Sequence, residues 1–284
     1  MRKITPDRII EKVIGLAREA NFVFPEALAE LVDQAIVREN SAAAKQALSA
    51  ILANVRLAQK LPLPICQDTG MVEAFCEIGS GVRLDLQPFP DLESVISSAV
   101  GQAYRKFFLR ASVVDPLSRR NTKNNTPAIV HTRLVSGDKI TVCLSVKGFG
   151  SENMGRIAAL PPGSSPSEIA DFVVKCVSDA GSNPCPPVII GVGLGGTQEK
   201  AALLAKEALL SPETLTEPNK DKDLRGLEKE ILARVNKLGI GPAGLGGKTT
   251  ALAVRVKKFP THIAGLPIAV NISCWALRVS RGEI

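Results

Sequence analysis

Two prolines, Pro62 and Pro64, divide this chain into stretches of different hydrophobic rhythm, and that change constrains the fold more than any other feature. Before them the apolar residues recur at helical spacing. Thr5 followed by Pro6 predicts a helix start, with Ile9, Ile10, Val13, Ile14 and Ala17 on one face. Leu28, Leu31, Val32, Ala35 and Ile36 predict a second helix. Ser41 predicts the start of a third, with Leu48, Ile51, Leu52 and Val55 inward. After the prolines, short strand-like runs alternate with helices. The expectation is an α+β fold: a helical N-terminal region over 1–60, then a mixed α/β region over 61–284 that forms one continuous domain.

Within the second region, Leu92, Val95, Ile96, Ala99, Val100, Ala103 and Phe107 mark an amphipathic helix. Residues 128–135 and 140–146 flank Ser136-Gly137-Asp138 and read as a β-hairpin. Ser165-Pro166-Ser167-Glu168 is a capping box, so a helix runs from there to about Gly181. Val188 to Val192 reads as a buried strand feeding a glycine loop and a helix from Gln198 to Leu210. A polar surface connection over 211–226, a helix to Gly239, and strands around Leu252–Val256 and Ile268–Ile272 follow.

With 284 residues, 45% hydrophobic and 22% charged, the chain is globular rather than disordered. Met1-Arg2-Lys3-Ile4-Thr5-Pro6 has no secretory pattern, and no apolar run is long enough to span a bilayer. A cytoplasmic location and reduced cysteines are therefore expected. The net charge of +7 admits nucleic acid, an acidic partner or a small anion. Aromatic content of 4%, with one Trp and one Tyr, leaves few platforms for stacking bases, which favours a small anion. A basic nucleic-acid-binding module with structural thiols is the alternative of a different class.

Two glycine motifs invite a nucleotide. Gly191-Val192-Gly193-Leu194-Gly195-Gly196 fits the dinucleotide fingerprint, with Glu213 near the ribose offset. No βαβ unit opens before it, and no parallel strand is evident in 211–226. Close packing of helix on strand explains the glycines as well. Gly246-Gly247-Lys248-Thr249 resembles a phosphate loop, but Pro242 stands where the motif needs its first glycine.

The six cysteines fall into two sets. Cys76 and Cys143 lie in strand patterns and Cys176 on a helical stripe, so all three read as packing. Cys66, Cys185 and Cys274 stand at breaks in regular structure, in Pro64-Ile65-Cys66-Gln67-Asp68, Pro184-Cys185-Pro186-Pro187 and Ser273-Cys274-Trp275. A zinc site would need a fourth ligand and close-spaced pairs, and no Cys-x-x-Cys occurs. His131 and His262 have unremarkable contexts. An iron–sulfur cubane accepts ligands from distant loops and, with three cysteines, keeps one iron open. On spacing alone, a cluster and three structural thiols both remain.

Seven separated motifs, in order, resemble the iron–sulfur hydro-lyases, the class I fumarases and L-tartrate dehydratases. They are Cys66-Gln67-Asp68-Thr69-Gly70, 121–128 (NTKNNTPA), 147–153 (KGFGSEN), Cys185-Pro186-Pro187, Gly195-Gly196-Thr197, Gly246-Gly247-Lys248 and Ser273-Cys274. The chain is similar to the α subunit of the two-subunit forms, ending where single-chain fumarases continue into a second domain.

The resemblance implies that Cys66, Cys185 and Cys274 ligate a [4Fe-4S] cluster. It places Gln67 and Asp68 beside the substrate, with Asp68 in acid–base chemistry. It makes Arg110 a substrate-carboxylate ligand and Gly150 a backbone contact to substrate. Phe149 departs from the triple glycine of some members. The implied activity is reversible hydration of fumarate to malate, with L-tartrate dehydration as the alternative. The implied partners are a small dicarboxylate and a separate β subunit supplying the remaining catalytic groups, with no nucleic acid or membrane. From the residues alone, Asp68 also suits an Asx turn before Gly70, and Arg110 a surface ion pair.

Overall fold

A computed structural model describes all residues, 1–284. In chain order the elements are β1 (Arg2–Ile4), α1 (Pro6–Phe22), α2 (Glu26–Arg38), α3 (Ala42–Lys60), β2 (Met71–Gly79), β3 (Val82–Leu84), α4 (Leu92–Lys106), β4 (Ile129–Val135), β5 (Ile140–Lys147) and α5 (Phe149–Glu152). Then come β6 (Arg156–Leu160), α6 (Pro166–Ala180), β7 (Val188–Gly195), α7 (Gln198–Glu207), α8 (Lys222–Asn236), β8 (Ala251–Phe259), β9 (Leu266–Ser273) and β10 (Arg278–Glu283). The α+β expectation holds. Two compact units form: residues 1–24, 57–149 and 278–284, and residues 25–56 and 150–277.

The first unit is built on a four-stranded sheet in the order β10-β5-β2-β4. Its buried face carries Val72, Ala74 and Cys76 of β2 and Val142, Leu144 and Val146 of β5. These pack with Ile9, Val13 and Leu16 of α1 and Val95, Ile96 and Val100 of α4. Asp91 caps α4 through Ser94 N, at 2.7 Å.

The expected hairpin does not form. β4 and β5 are present, but β2 lies between them, parallel to β4 and antiparallel to β5. The connection 136–139 instead wraps the end of β2. Gly79 N donates to Lys139 O at 2.9 Å, Ser80 N to Val135 O at 2.8 Å and Gly81 N to Gly137 O at 2.7 Å. A Cβ on Gly79 would stand 2.5 Å from Gly137 O, so only glycine permits the wrap. Alternating polarity identifies strands but not their neighbours.

The second unit is a sheet in the order β6-β9-β7-β8 between helices. Val188, Ile190 and Val192 of β7 and Ile268, Val270 and Ile272 of β9 pack with α6 and α8. Ala269 packs with Ala201 and Ala205 of α7. α6 begins with the full capping box at Ser165 and Glu168, as expected.

The glycine motif at 191–196 is not a loop, because β7 runs to Gly195. A Cβ on Gly191 would lie 2.2 Å from Ala205 O, and one on Gly193 would lie 2.0 Å from Ala201 O. The glycines thus let the α7 backbone rest on the sheet. A parallel strand does follow, at β8 rather than within 211–226. The space above the glycines is nevertheless filled by α7, which leaves no room for a pyrophosphate.

The loop resembling a phosphate loop also has an occupant. Glu39, 1% exposed, accepts Lys248 N on Oε2 at 2.7 Å, and Asn40 N at 2.9 Å and Ser41 N at 3.2 Å on Oε1. Burial alone would raise its pKa, but the backbone N–H groups of Lys248, Ser41, Asn40 and Thr249 outweigh it and hold the carboxyl below the usual glutamate value. A Cβ on Gly247 would lie 2.8 Å from Glu39 Oε2.

Three substitutions test this packing by urea denaturation. Gly193→Ala is expected to lower stability by about 3 kcal/mol, since the added methyl meets helix backbone. Gly226→Ala, inside α8 with nothing within 4 Å of the new Cβ, is expected to raise it by about 0.5–1 kcal/mol. Glu39→Gln is expected to cost about 2 kcal/mol at neutral pH by setting an amide against N–H donors. The native pKa of Glu39 is depressed, so its contribution is complete above the unfolded-state value and disappears as pH falls through the lower, folded value. The gap between wild type and Glu39→Gln therefore closes on acidification; a gap independent of pH contradicts the assignment.

Candidate functional site

In the first unit, β2 and β5 end together, with Met71 opposite Lys147. The Cys66–Gly70 segment enters this sheet end and the Gly148–Phe149 segment leaves it. Ile65, 4% exposed, anchors the entry, its N–H donating to Asn21 O at 2.9 Å. Cys66 and Asp68 are half-buried and Gln67 is exposed.

Asp68 Oδ1 accepts Gly70 N at 3.0 Å, which is the Asx turn that its sequence context allows. Its Oδ2 accepts Phe149 N at 3.0 Å, which binds the two segments to one carboxylate. Gly70 has φ +64, and a Cβ there would stand 2.6 Å from Lys147 O. A Cβ on Gly148 would lie 3.1 Å from both Asp68 Oδ2 and Arg278 Nη2. Glycine is required at 70, and at 148 a side chain would press on the Asp68 carboxylate and the Arg278 guanidinium.

Three side chains that sequence reasoning did not single out hold this loop. Arg278 donates to Asp68 O. Tyr104 donates to Thr69 O and stands 3.2 Å from Gly70 O. Asn125 Nδ2 donates to Gly70 O at 3.0 Å, while its Oδ1 accepts Ser112 N at 2.8 Å and Val113 N at 3.2 Å. Tyr104 is 2% exposed, Asn125 0% and Arg278 3%. Burial pushes the Tyr104 hydroxyl pKa up, so it stays a donor. Signals existed: Asn125 lies in a quoted motif, and Tyr104 is the chain's one tyrosine.

Arg110 is joined to the same loop through its backbone, because Thr69 Oγ1 donates to Arg110 O at 3.0 Å. Its exposed guanidinium makes no ion pair, against the bland expectation, and is available to an anion.

In the second unit, β7 and β9 are antiparallel neighbours, with Ile189 opposite Ser273. Cys185, just before β7, and Cys274, just after β9, therefore come to the same end of this sheet. Cys185 is exposed and left-handed, with φ +56, a conformation costing a non-glycine residue about 1 kcal/mol. Its loop is fixed by Cys185 N to Ser182 O at 3.1 Å and Ala243 N to Pro186 O at 2.8 Å.

Gly150 is exposed in α5, and a Cβ on it would stand 3.4 Å from Asn183 O, so it lies against the Cys185 loop. Glu152 fixes that turn. Its Oε1 accepts Lys206 Nζ at 2.8 Å and its Oε2 accepts Asn271 Nδ2 at 3.0 Å, the latter three residues before Cys274.

The sequence-based division of the cysteines matches their surroundings. None of the six forms a disulfide. Burial, with a smaller contribution from Cys143, pushes the Cys76 thiol up to about 12, and burial pushes Cys176 up to about 11. Both are protonated at neutral pH and are poor metal ligands. Cys66 and Cys274 are half-buried and Cys185 is exposed. Nowhere do three His, Cys, Asp or Glu side chains converge as for a single metal ion. A cubane makes a different demand, since each thiolate binds a separate iron.

The profile of the fumarate hydratase (Fumerase) family matches residues 10–283. A putative L(+)-tartrate dehydratase subunit alpha of Methanocaldococcus jannaschii is 38% identical over 276 residues, covering 95% of this chain and 95% of the relative. The L(+)-tartrate dehydratase subunit alpha of Escherichia coli is 29% identical over 276 residues in strains UTI89 and K12, covering 96% of this chain and 89% of each relative. With nearly its whole length matched and the motif residues gathered at strand ends, the chain belongs to the fumarate hydratase (Fumerase) family.

Proposed function

We propose that this chain is the α subunit of a hydro-lyase that interconverts fumarate and malate, with Cys66, Cys185 and Cys274 holding a [4Fe-4S] cluster. One observation carries the reading: the three cysteines in the family's motifs are the three that stand in loops outside the buried cores. Their donor chemistry fits the group, since the other thiols are buried. When bound, such a cluster supplies an open iron able to act as a Lewis acid toward a substrate hydroxyl.

The chain's own residues supply binding and proton transfer. Arg110 binds a substrate carboxylate with a guanidinium that has no internal partner. Gln67, exposed beside Cys66, hydrogen-bonds the substrate, and the Gly150 backbone contacts it. Asp68 moves the proton. Each of its oxygens accepts one backbone N–H, which fixes the carboxylate plane and leaves lone pairs for a proton.

Malate dehydration removes a proton from carbon beside a carboxylate and expels hydroxide as water. It therefore needs a base, an acid and stabilised negative charge. A separate β subunit supplies the groups this chain lacks, a reading supported by the relatives' designation as subunit alpha. No helix is long and apolar enough to cross a membrane, and a cytoplasmic location is part of the same proposal. The relatives' names favour a second reading, L-tartrate dehydration, which uses the same bond changes on a substrate with one more hydroxyl.

Cysteine substitution under anaerobic reconstitution tests the ligand set. Cys66→Ser, Cys185→Ser and Cys274→Ser are each expected to abolish the visible absorbance of the cluster, while Cys143→Ser and Cys176→Ser retain it. Loss of colour in Cys176→Ser with retention in Cys274→Ser refutes the assignment.

Kinetics of the assembled enzyme with malate, fumarate and L-tartrate test the roles. Asp68→Asn is expected to lower kcat by about 100-fold with the cluster intact. Arg110→Ala is expected to raise KM by about tenfold. Near-wild-type constants in both variants would remove these residues from the site. The chain alone is expected to be inactive until the β subunit is added, and full activity without it contradicts the two-subunit reading.

A further inference from the structure

The second unit contains a cavity of about 490 Å3 that takes no part in the proposed chemistry. Its floor is the outer edge of β8. Both ends of that edge are capped by side chains. Asn236 Oδ1 accepts Ala251 N at 2.8 Å and its Nδ2 donates to Ala251 O at 3.2 Å. At the other end, Glu228 Oε1 accepts Val256 N at 2.9 Å. Since Val256 N points away from β7, strand alternation turns the Val254 N–H the same way. β8 is the last strand of its sheet, so this donor faces the cavity without a strand partner.

The walls come from α2, α8 and the segment after a short 3-10 turn at Pro212–Thr214. They are strongly cationic. Arg38, Arg225, Lys229 and Lys248 line the cavity, and none has a carboxylate within ion-pair reach. Of the two acids on the wall, Glu228 is already engaged by Arg255, at 3.0 Å. Arg255 in turn donates to Thr214 O and Glu217 O, which holds the 214–217 segment in place as one wall. Only Glu217 opposes the unpaired cations.

Concave walls of one sign concentrate the field, and the Val254 N–H on the floor adds a directed donor. We infer that this cavity binds a small polyanion bearing carboxylate or phosphate groups. The volume is that of a small-molecule site. Arg38 and Lys229 approach from different helices, so an occupant would clamp α2 to α8 across the β8 edge. Such binding is independent of the proposed dehydration.

Calorimetric titration of the chain at ~0.15 M ionic strength tests this, with citrate and inorganic pyrophosphate as separate probes and sodium chloride as the ionic-strength control. At least one probe is expected to bind saturably at one site per chain. Citrate and pyrophosphate together distinguish carboxylate from phosphate recognition. The double reversal Arg38→Glu/Lys229→Glu is expected to weaken binding at least tenfold, and the milder Lys229→Gln in the same direction. Circular dichroism checks that both variants fold. Arg110→Ala is expected to leave the affinity unchanged.

No saturable heat with either probe overturns the inference, as does wild-type affinity in Lys229→Gln together with the double variant. Loss of binding in Arg110→Ala also overturns it, by assigning the anion to the proposed substrate site. Tighter binding of a ten-residue glutamate peptide that displaces both probes overturns it in favour of an acidic protein segment.

Discussion

Three successive carbonyl oxygens, those of Asp68, Thr69 and Gly70, each receive a hydrogen bond from a buried side chain. The donors, Arg278, Tyr104 and Asn125, come from a C-terminal strand, a helix and a loop. The segment after Cys66 is thus held in a non-repetitive shape by side chains in place of a ladder partner. Loss of any one would leave a buried polar group unsatisfied, which costs more than the bond itself contributes. The same region fixes Asp68 through two backbone N–H groups and admits only glycine at 70. Placement of Gln67, Asp68 and Arg110 follows from that cage.

The second unit reaches a similar result through sheet register. Pairing β7 against β9 brings Cys185 and Cys274 to one end, although 88 positions separate them in sequence. Gly191 and Gly193 of β7 let α7 sit against this sheet. Glu152 then ties the Gly150 turn to β9. In both units, the residues assigned to chemistry stand at strand ends, where the backbone leaves the ladder and side chains or tight turns must satisfy its polar groups.

Much of this was legible in the sequence because the signals are local. Helices α1, α2, α3, α4 and α6 follow from apolar spacing, and α6 from its capping box. The division of the cysteines follows from strand and helix periodicity, and burial of Cys76 and Cys176 agrees with it. What was not legible depends on contacts distant in sequence. Insertion of β2 between β4 and β5 turns on Gly79 meeting Gly137, which no local pattern encodes. Short edge strands such as β6 and β10 carry too few residues to show a period. Tyr104 and Arg278 look like ordinary helix and strand residues until the fold brings them to the Cys66 loop. What the loop resembling a phosphate loop holds was likewise not legible: its anion is Glu39, some two hundred residues earlier in the chain.

The chain has one tyrosine and one tryptophan, and the fold gives each a distinct address. Tyr104 is hydrogen-bonded to the backbone that follows Cys66, and Trp275 directly follows Cys274. The molecule therefore carries a built-in optical label at two of the three loop thiols, with no competing fluorophore of either type. Tryptophan emission, excited selectively, reports on the Cys274 segment, and tyrosine emission on the Cys66 loop. Order in these two places can be followed separately in the unmodified protein.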